Sequence, residues 1–291
     1  MKTWRFGLIL ACSLCLWACS DDDGSSTQKA DAGAAGGAGG AGGAGGAGAA
    51  GGAGGAGGAG GNVETATAAA IVADYAAGIA IEGISVCNTA NDECSLSNAE
   101  GVAEFDYVPG DDLTITFDGD TYFSSMVNAR FTPNEDGSRN EINLLLVQTA
   151  AAEVVVATAP EPVNVSNAEV GHIIVWSATA NGTFLAGSAF AVEPASGKGP
   201  FYFAEGNIIE NLTAGSAYDA EATQTTANGI AQFVELEPGE YTMSVTHEGR
   251  TCTAAYGIPG GDNAMTFNIE ANRISYLLFI CDGDEPTPAA P

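Results

Sequence analysis

Glu100-Gly-Val-Ala-Glu-Phe-Asp-Tyr-Val-Pro-Gly110 and Asn228-Gly-Ile-Ala-Gln-Phe-Val-Glu-Leu-Glu-Pro-Gly239 are two versions of one pattern, the second longer by one residue. Each opens on a turn glycine, Gly101 or Gly229. Each then places Ala and Phe two residues apart, Ala103 and Phe105 or Ala231 and Phe233. Apolar residues at a spacing of two fall on one face of a strand and never on one face of a helix. The closing Pro-Gly supplies the turn into the next strand.

The same period continues on either side. Leu113-Thr-Ile-Thr-Phe117 and Tyr241-Thr-Met-Ser-Val245 put apolar side chains on one face and hydroxyls on the other, as half-buried strands do. Arg273 to Cys281 is longer and more apolar, as expected of a central strand. Turn dipeptides punctuate the text at Asp136-Gly137 and Glu248-Gly249, and no stretch reads as an amphipathic helix. Upstream of the first copy, Val72 to Val86 matches Val175 to Val192 upstream of the second. The expectation is an all-β chain with an internal duplication. The bounds are module 1 at 66–157, a Pro-containing hinge at 158–167, module 2 at 168–281, and a disordered tail at 282–291.

These residues resemble the carboxypeptidase regulatory-like modules, also called transthyretin-like, and the related CnaB-type domains of surface proteins. Copy 1 carries Asp74, Gly78, Gly83, Val86, Gly101, Ala103, Phe105, Pro109 and Gly110 of that pattern. Copy 2 carries Gly187, Val192, Gly229, Ala231, Phe233, Leu236, Pro238, Gly239 and Tyr241. Departures are Ala80 in place of Pro, Leu113 in the Tyr region of copy 1, and a long insertion between Val192 and Gly229. The resemblance implies two tandem Greek-key, prealbumin-like β-sandwich modules, and it implies no particular activity. Relatives of CnaB type often carry a Lys–Asn isopeptide bond. Copy 1 has no lysine, and copy 2 has only Lys198, in the insertion.

The amino terminus reads as an address. Lys2 and Arg5 precede an apolar run from Phe6 to Trp17, the layout of a secretory signal and too short to span a bilayer. The run ends in Leu16-Trp17-Ala18-Cys19, which resembles a bacterial lipobox, although Trp17 is bulkier than usual there. Residues 1–18 are therefore expected to be removed and Cys19 to carry lipid, the chain's link to a membrane. Ser20 after the cysteine suggests the outer membrane by similarity to enteric lipoproteins, and Asp21 to Asp23 resemble surface-export signals. From Ala32 to Gly61 the text is Gly and Ala alone. With nothing to bury, residues 19–61 are expected as a disordered tether with a reach of about 30 Å for that Gly/Ala run.

The formal charge is −28, with Lys and Arg together only 8 of 291 residues. Such a surface repels phosphate backbones, so nucleic acid is excluded as a partner, and a surface protein or a polysaccharide is the expected class. Seven cysteines are present; Cys12 and Cys15 lie in the signal and Cys19 takes lipid. The remaining four read as within-module disulfides, Cys87–Cys94 and Cys252–Cys281, worth about 2.5 and 3.5 kcal/mol on the loop-entropy account.

Candidate chemistry is sparse. His172 and His247 lie 75 residues apart in copy 2 and could serve an enzyme as base or metal ligand; the commoner state is a strand-end or surface histidine. Asp118 and Asp120, with Asn134 and Asp136, could offer calcium oxygen ligands from neighbouring loops, against the commoner reading of Asp-Gly as a turn. Phe201, Tyr202 and Phe203 could form an exposed sugar-binding platform, against packing at a strand edge. No nucleophile–base frame occurs, so the leading expectation is a non-enzymatic binding or spacer protein without a cofactor. An enzyme using His172 or His247 is the alternative.

Overall fold

A computed structural model describes residues 64–283 apart from Asn207. Cys19, the tether and the end of the tail lie outside these residues. The first half contains β1 (Ala66–Asp74), β2 (Ser85–Asn88), β3 (Glu93–Leu96), β4 (Val102–Tyr107), β5 (Asp112–Gly119), β6 (Tyr122–Arg130) and β7 (Asn140–Leu146). A short helix follows, α1 (Thr149–Val156). The second half contains β8 (Gly171–Ala178), β9 (Ala189–Glu193), β10 (Lys198–Tyr202), α2 (Ile208–Ala214), β11 (Ile230–Leu236), β12 (Gly239–Thr246), β13 (Thr251–Tyr256), β14 (Ile258–Pro259), β15 (Ala264–Ile269) and β16 (Ile274–Asp282). The chain is all-β in character, with two short helices that the sequence did not announce. Eight residues make barely two turns, so the buried pair Ala152 and Val156 is too short a stripe to read as a period.

The duplication seen in the text is a duplication of topology. β1 lies between antiparallel β4 and parallel β7, as β8 lies between antiparallel β11 and parallel β16. β5 lies between antiparallel β2 and β6, as β12 lies between antiparallel β9 and β15. The matching extends to single atoms. The Val72 amide donates to the Gly101 carbonyl at 2.9 Å, and the Ser177 amide to the Gly229 carbonyl at 3.0 Å.

The sheets of the two halves are continuous. The longest runs β10-β11-β8-β16-β6-β5-β2-β3, with β13 also on β16, and β16 crosses from one half to the other. The join is parallel and short, Ile274 beside Ser125 and Ser275 beside Met126. One face of this sheet meets β4-β1-β7; the opposite face, in the second half, meets β14-β15-β12-β9. Alternate residues of β8 and β16 therefore feed different cores. Ile174, Trp176 and Tyr276 face one, and Ile173, Val175, Leu277 and Phe279 face the other. That double burial is why β16 reads as an apolar run while β12 alternates.

The segment expected as a hinge, 158–167, is packed instead. In the second half, one face of the long sheet has no second sheet of its own, and an apolar face left in water is unfavourable by about 25 cal/mol per Å². Val156 at the end of α1, Val165 in the segment, and Ala217 and Tyr218 cover it. The segment is tied at both ends: the Ala217 amide donates to Thr158 Oγ1 at 3.0 Å, and Ser166 Oγ to Glu153 Oε1 at 2.8 Å. It is a strap over the core. Asp282, expected as the first residue of the tail, is the last residue of β16, and the rest of that expectation falls beyond the described residues.

Gly101 and Gly229 hold the equivalent corners under the same constraint. Their φ angles are +76° and +64°, and an added Cβ would lie 2.4 Å from the Val72 carbonyl oxygen or 2.7 Å from that of Ser177. Neither backbone oxygen can move without breaking a strand pair. Gly101→Ala and Gly229→Ala should each destabilise the fold by about 3 kcal/mol or more in urea unfolding. Gly110→Ala, at φ +88° with open space around it, should cost about 1 kcal/mol from backbone conformation alone. Equal costs at all three positions would contradict the corner assignment.

Candidate functional site

His172 opens β8 and is fully buried. Its Nε2 lies 3.1 Å from the Val165 carbonyl, and its Nδ1 accepts the Glu235 amide at 3.3 Å. The ring therefore carries one proton, on Nε2, and burial pushes its pKa down against the opposing pull of the Val165 bond and the Glu235 charge. Phe123 meets it edge-on at 5.6 Å. Glu235 occupies a bulge in β11 at φ +57°. Its carboxylate accepts Lys198 Nζ at 2.6 Å and the Asn164 amide at 2.6 Å, and Lys198 also donates to the Pro162 carbonyl at 2.5 Å. Burial raises the Glu235 pKa, and these partners more than reverse it, so the group is held below its ordinary value. Lys198 thus faces a carboxylate, while the asparagine beside that carboxylate offers its backbone amide.

His247 follows β12 and is half-buried, with Nδ1 2.9 Å from the Glu248 carbonyl and Nε2 3.0 Å from that of Ala186. Ala186 lies just beyond Phe184, which bridges to Ala178 at the far end of β8 from His172. The two histidines therefore sit at opposite ends of the second half and form no joint site. His172, sealed and bonded on both nitrogens, has no route to a substrate as a base.

The aromatic trio is interior. Phe201, Tyr202 and Phe203 are 7, 3 and 5 % exposed, so they form no sugar-binding platform. β10 lies at the edge of the long sheet, and its period of two sends Phe201 and Phe203 against Tyr218, at 5.6 and 4.8 Å, and Tyr202 into the other core. The Tyr202 hydroxyl accepts the Phe190 amide at 3.1 Å.

The four calcium candidates are not neighbours. Asp118 and Asp120 flank the β5–β6 turn, while Asn134 and Asp136 lie in the β6–β7 loop, at the other end of β6. Asp136 Oδ1 accepts the Ser138 amide and hydroxyl, at 2.9 and 2.6 Å, and these bonds lower its pKa. Asp118 receives both terminal nitrogens of Arg273, at 2.9 and 3.2 Å, and Arg273 Nε reaches Glu270 at 3.0 Å. That fork joins the two halves beside the β6–β16 pairing. Among the described residues, no group of three or more His, Cys, Asp or Glu side chains is placed to hold a metal ion.

Cys87 pairs with Cys94 and Cys252 with Cys281, each between residues directly opposed on neighbouring strands. The second pair is buried in a core, while Cys94 is exposed on β3. It lines an open hollow of about 610 Å³ with Thr67, Glu93, Ser95, Glu104 and Asp106. The β4 edge of this hollow is already occupied, since the Glu104 and Asp106 carbonyls accept Ser95 Oγ at 2.7 Å and Asn88 Nδ2 at 2.8 Å.

Sequence reasoning passed over a matched pair of buried hydroxyls. Ser97 Oγ accepts the Ile84 amide and donates to the Ile81 carbonyl; Thr225 Oγ1 accepts the Ser188 amide and donates to the Leu185 carbonyl. The signal was present, because each stands four residues before its turn glycine. Asp74, buried at the end of β1, was singled out only through the family pattern. It accepts the Ala76 and Ala77 amides, the Tyr122 hydroxyl and Gln148 Nε2. Burial pushes its pKa up, but these four bonds outweigh burial and hold it below the usual carboxylate value.

No family model and no curated protein matches the chain. Among solved structures, the chain is similar to the TIE protein of Bacillus anthracis at 15% identity and TM-score 0.22, covering 75% of this chain and 34% of that one. It is similar to the minor pilin GBS52 of Streptococcus agalactiae at 14% identity and TM-score 0.25, covering 77% and 98%. It is similar to the shaft pilin SpaA of Lactobacillus rhamnosus GG at 12% identity and TM-score 0.21, covering 76% and 99%. The chain thus spans about a third of the length of the TIE protein. At these values any functional reading rests on the chain's own residues.

Since the calcium candidates are divided between two ends of β6, millimolar calcium should move the thermal midpoint by no more than about a degree or two relative to chelator, at constant ionic strength. Asp118→Asn should cost about 1 kcal/mol in either condition, through the partly exposed Arg273 pair. A calcium-dependent rise near ten degrees that Asp118→Asn abolishes would reinstate the site.

Proposed function

We propose that the chain is an exported, lipid-anchored envelope protein of the outer membrane that works without catalysis. In this reading it holds two joined β-sandwich modules away from the membrane and presents them to a surface protein or a polysaccharide. The observation that carries it is the pair of disulfides between directly opposed residues, which suits an oxidising compartment and follows a signal-like amino terminus ending at Cys19. The reactive side chains support the same reading by what they do. His172, Glu235, Lys198, Asp74, Asp118 and Arg273 are each engaged in holding backbone or joining the halves. The charge of −28 favours a neutral or basic partner surface and disfavours nucleic acid.

The anchor is tested at one atom. Cys19→Ala removes the thiol that would receive diacylglycerol. The variant should lose labelling by a clickable fatty acid and accumulate as unprocessed precursor, while the wild-type chain is labelled and fractionates with the outer membrane. Labelling that persists in Cys19→Ala would overturn the anchor.

A further inference from the structure

Three side chains from three strands converge on one short stretch of the strap. Lys198 of β10 donates to the Pro162 carbonyl, Glu235 of β11 accepts the Asn164 amide, and His172 of β8 lies against the Val165 carbonyl. The three are linked to one another: Lys198 pairs with the Glu235 carboxylate, and the Glu235 amide donates to His172 Nδ1. We infer that this node is an acid-sensitive latch, in which protonation of His172 releases the strap around 162–165 while the sandwiches stay folded.

Both nitrogens of the His172 ring are engaged. With Nε2 donating to Val165 and Nδ1 accepting from Glu235, a second proton can enter only at Nδ1, where it would confront an N–H. The acceptor for the Glu235 amide is then lost, and that amide belongs to a bulge residue at φ +57°, a conformation strained for a non-glycine residue when unsupported. Once the bulge relaxes, the carboxylate that holds both Asn164 and Lys198 moves with it.

The charged groups around His172 leave few ways to absorb the proton. On β11 the facing acid is Glu235, already committed to Lys198 of β10 and to Asn164. β6 presents the Phe123 ring. Just before β16, the Arg273 carbonyl accepts the His172 amide, and the Arg273 guanidinium is turned to Asp118 and Glu270. On α1, Glu153 is bonded to Ser166. Burial lowers the ring's pKa in the docked state despite the opposing Glu235 charge, so the released state takes up the proton more readily. The sign follows: strap docking is at full strength above about pH 6.5, the ordinary histidine value, and weakens as the pH falls below it. The rest of the fold is insulated, because the core formed by β9, β12 and β15 contains none of these groups.

Hydrogen exchange by mass spectrometry on the full chain tests the latch. After correction for intrinsic rates, peptides covering 158–167 should exchange roughly tenfold faster at pH 5.0 than at pH 7.5, while peptides of β12 and β15 remain protected at both. In His172→Gln, which cannot titrate, the strap's exchange should be independent of pH over this range. Should that variant fail to fold, Glu235→Gln gives the second reading: with the charge that favours the docked imidazolium gone, the gap between docked and released states widens, and acid release should be larger, with an onset no lower in pH. Strap protection that is unchanged by acid, an acid response that survives in His172→Gln, or an onset in Glu235→Gln at lower pH overturns the latch. So does simultaneous loss of protection in the strap and in β12 and β15.

Discussion

The parallel pairing of β8 with β16 is the constraint from which the second half follows. Both strands are buried on both faces, so their backbone groups must be satisfied within the sheet and both faces must be covered by something apolar. β9, β12 and β15 cover one face by the ordinary logic of a sandwich. The other face takes whatever the chain can supply, namely the end of α1, the strap and the insertion around Tyr218. Strap segments carry polar backbone of their own, and burying it without partners costs roughly 1–3 kcal/mol for each group. The cluster of His172, Glu235 and Lys198 answers that cost, which explains why ionisable side chains stand at the edge of an apolar core.

Much of this architecture was legible in the sequence. The period of two and the matched Gly101 and Gly229 corners identify the strands and the duplication, because both depend on local geometry that each residue carries with it. The disulfide partners were legible for the same reason, since each pair closes within one copy. The strap was misread as a hinge because Pro160 and Pro162 describe backbone stiffness and say nothing of what lies beneath them. For Phe201 to Phe203 the packing reading held over the platform, although the text could not show that alternation across an edge strand sends them to two different cores. The calcium candidates failed on distance: loops adjacent in sequence lie at opposite ends of the strand that joins them.

Charge is distributed with a division of labour. Of the five basic residues beyond the tether, Arg130, Arg139, Lys198 and Arg273 each pair with a carboxylate. Lys198 fastens the strap and Arg273 spans the two halves, while Arg130 and Arg139 lie on exposed strand ends where such pairs contribute little. Most of the other described acids are exposed, Asp74 being the buried exception, and they give the surface its sign. Basic side chains are thus spent on architecture, and the outward face of the molecule is anionic almost by subtraction.

The position of β1 has a mechanical consequence. It is the first strand among the described residues, following the Gly/Ala run in sequence, and it is held along most of its length by β4 on one side and β7 on the other, the latter running parallel to it. A load drawn through the preceding chain enters at Ala66 and runs along the strand axis. Its hydrogen bonds to both neighbours then bear that load together in shear, where a strand peeled from its end would surrender them one at a time. The duplication places β8 in the same geometry between β11 and β16, so tension passing along the chain meets a second shear clamp of the same design. A protein built this way resists extension first where it is pulled.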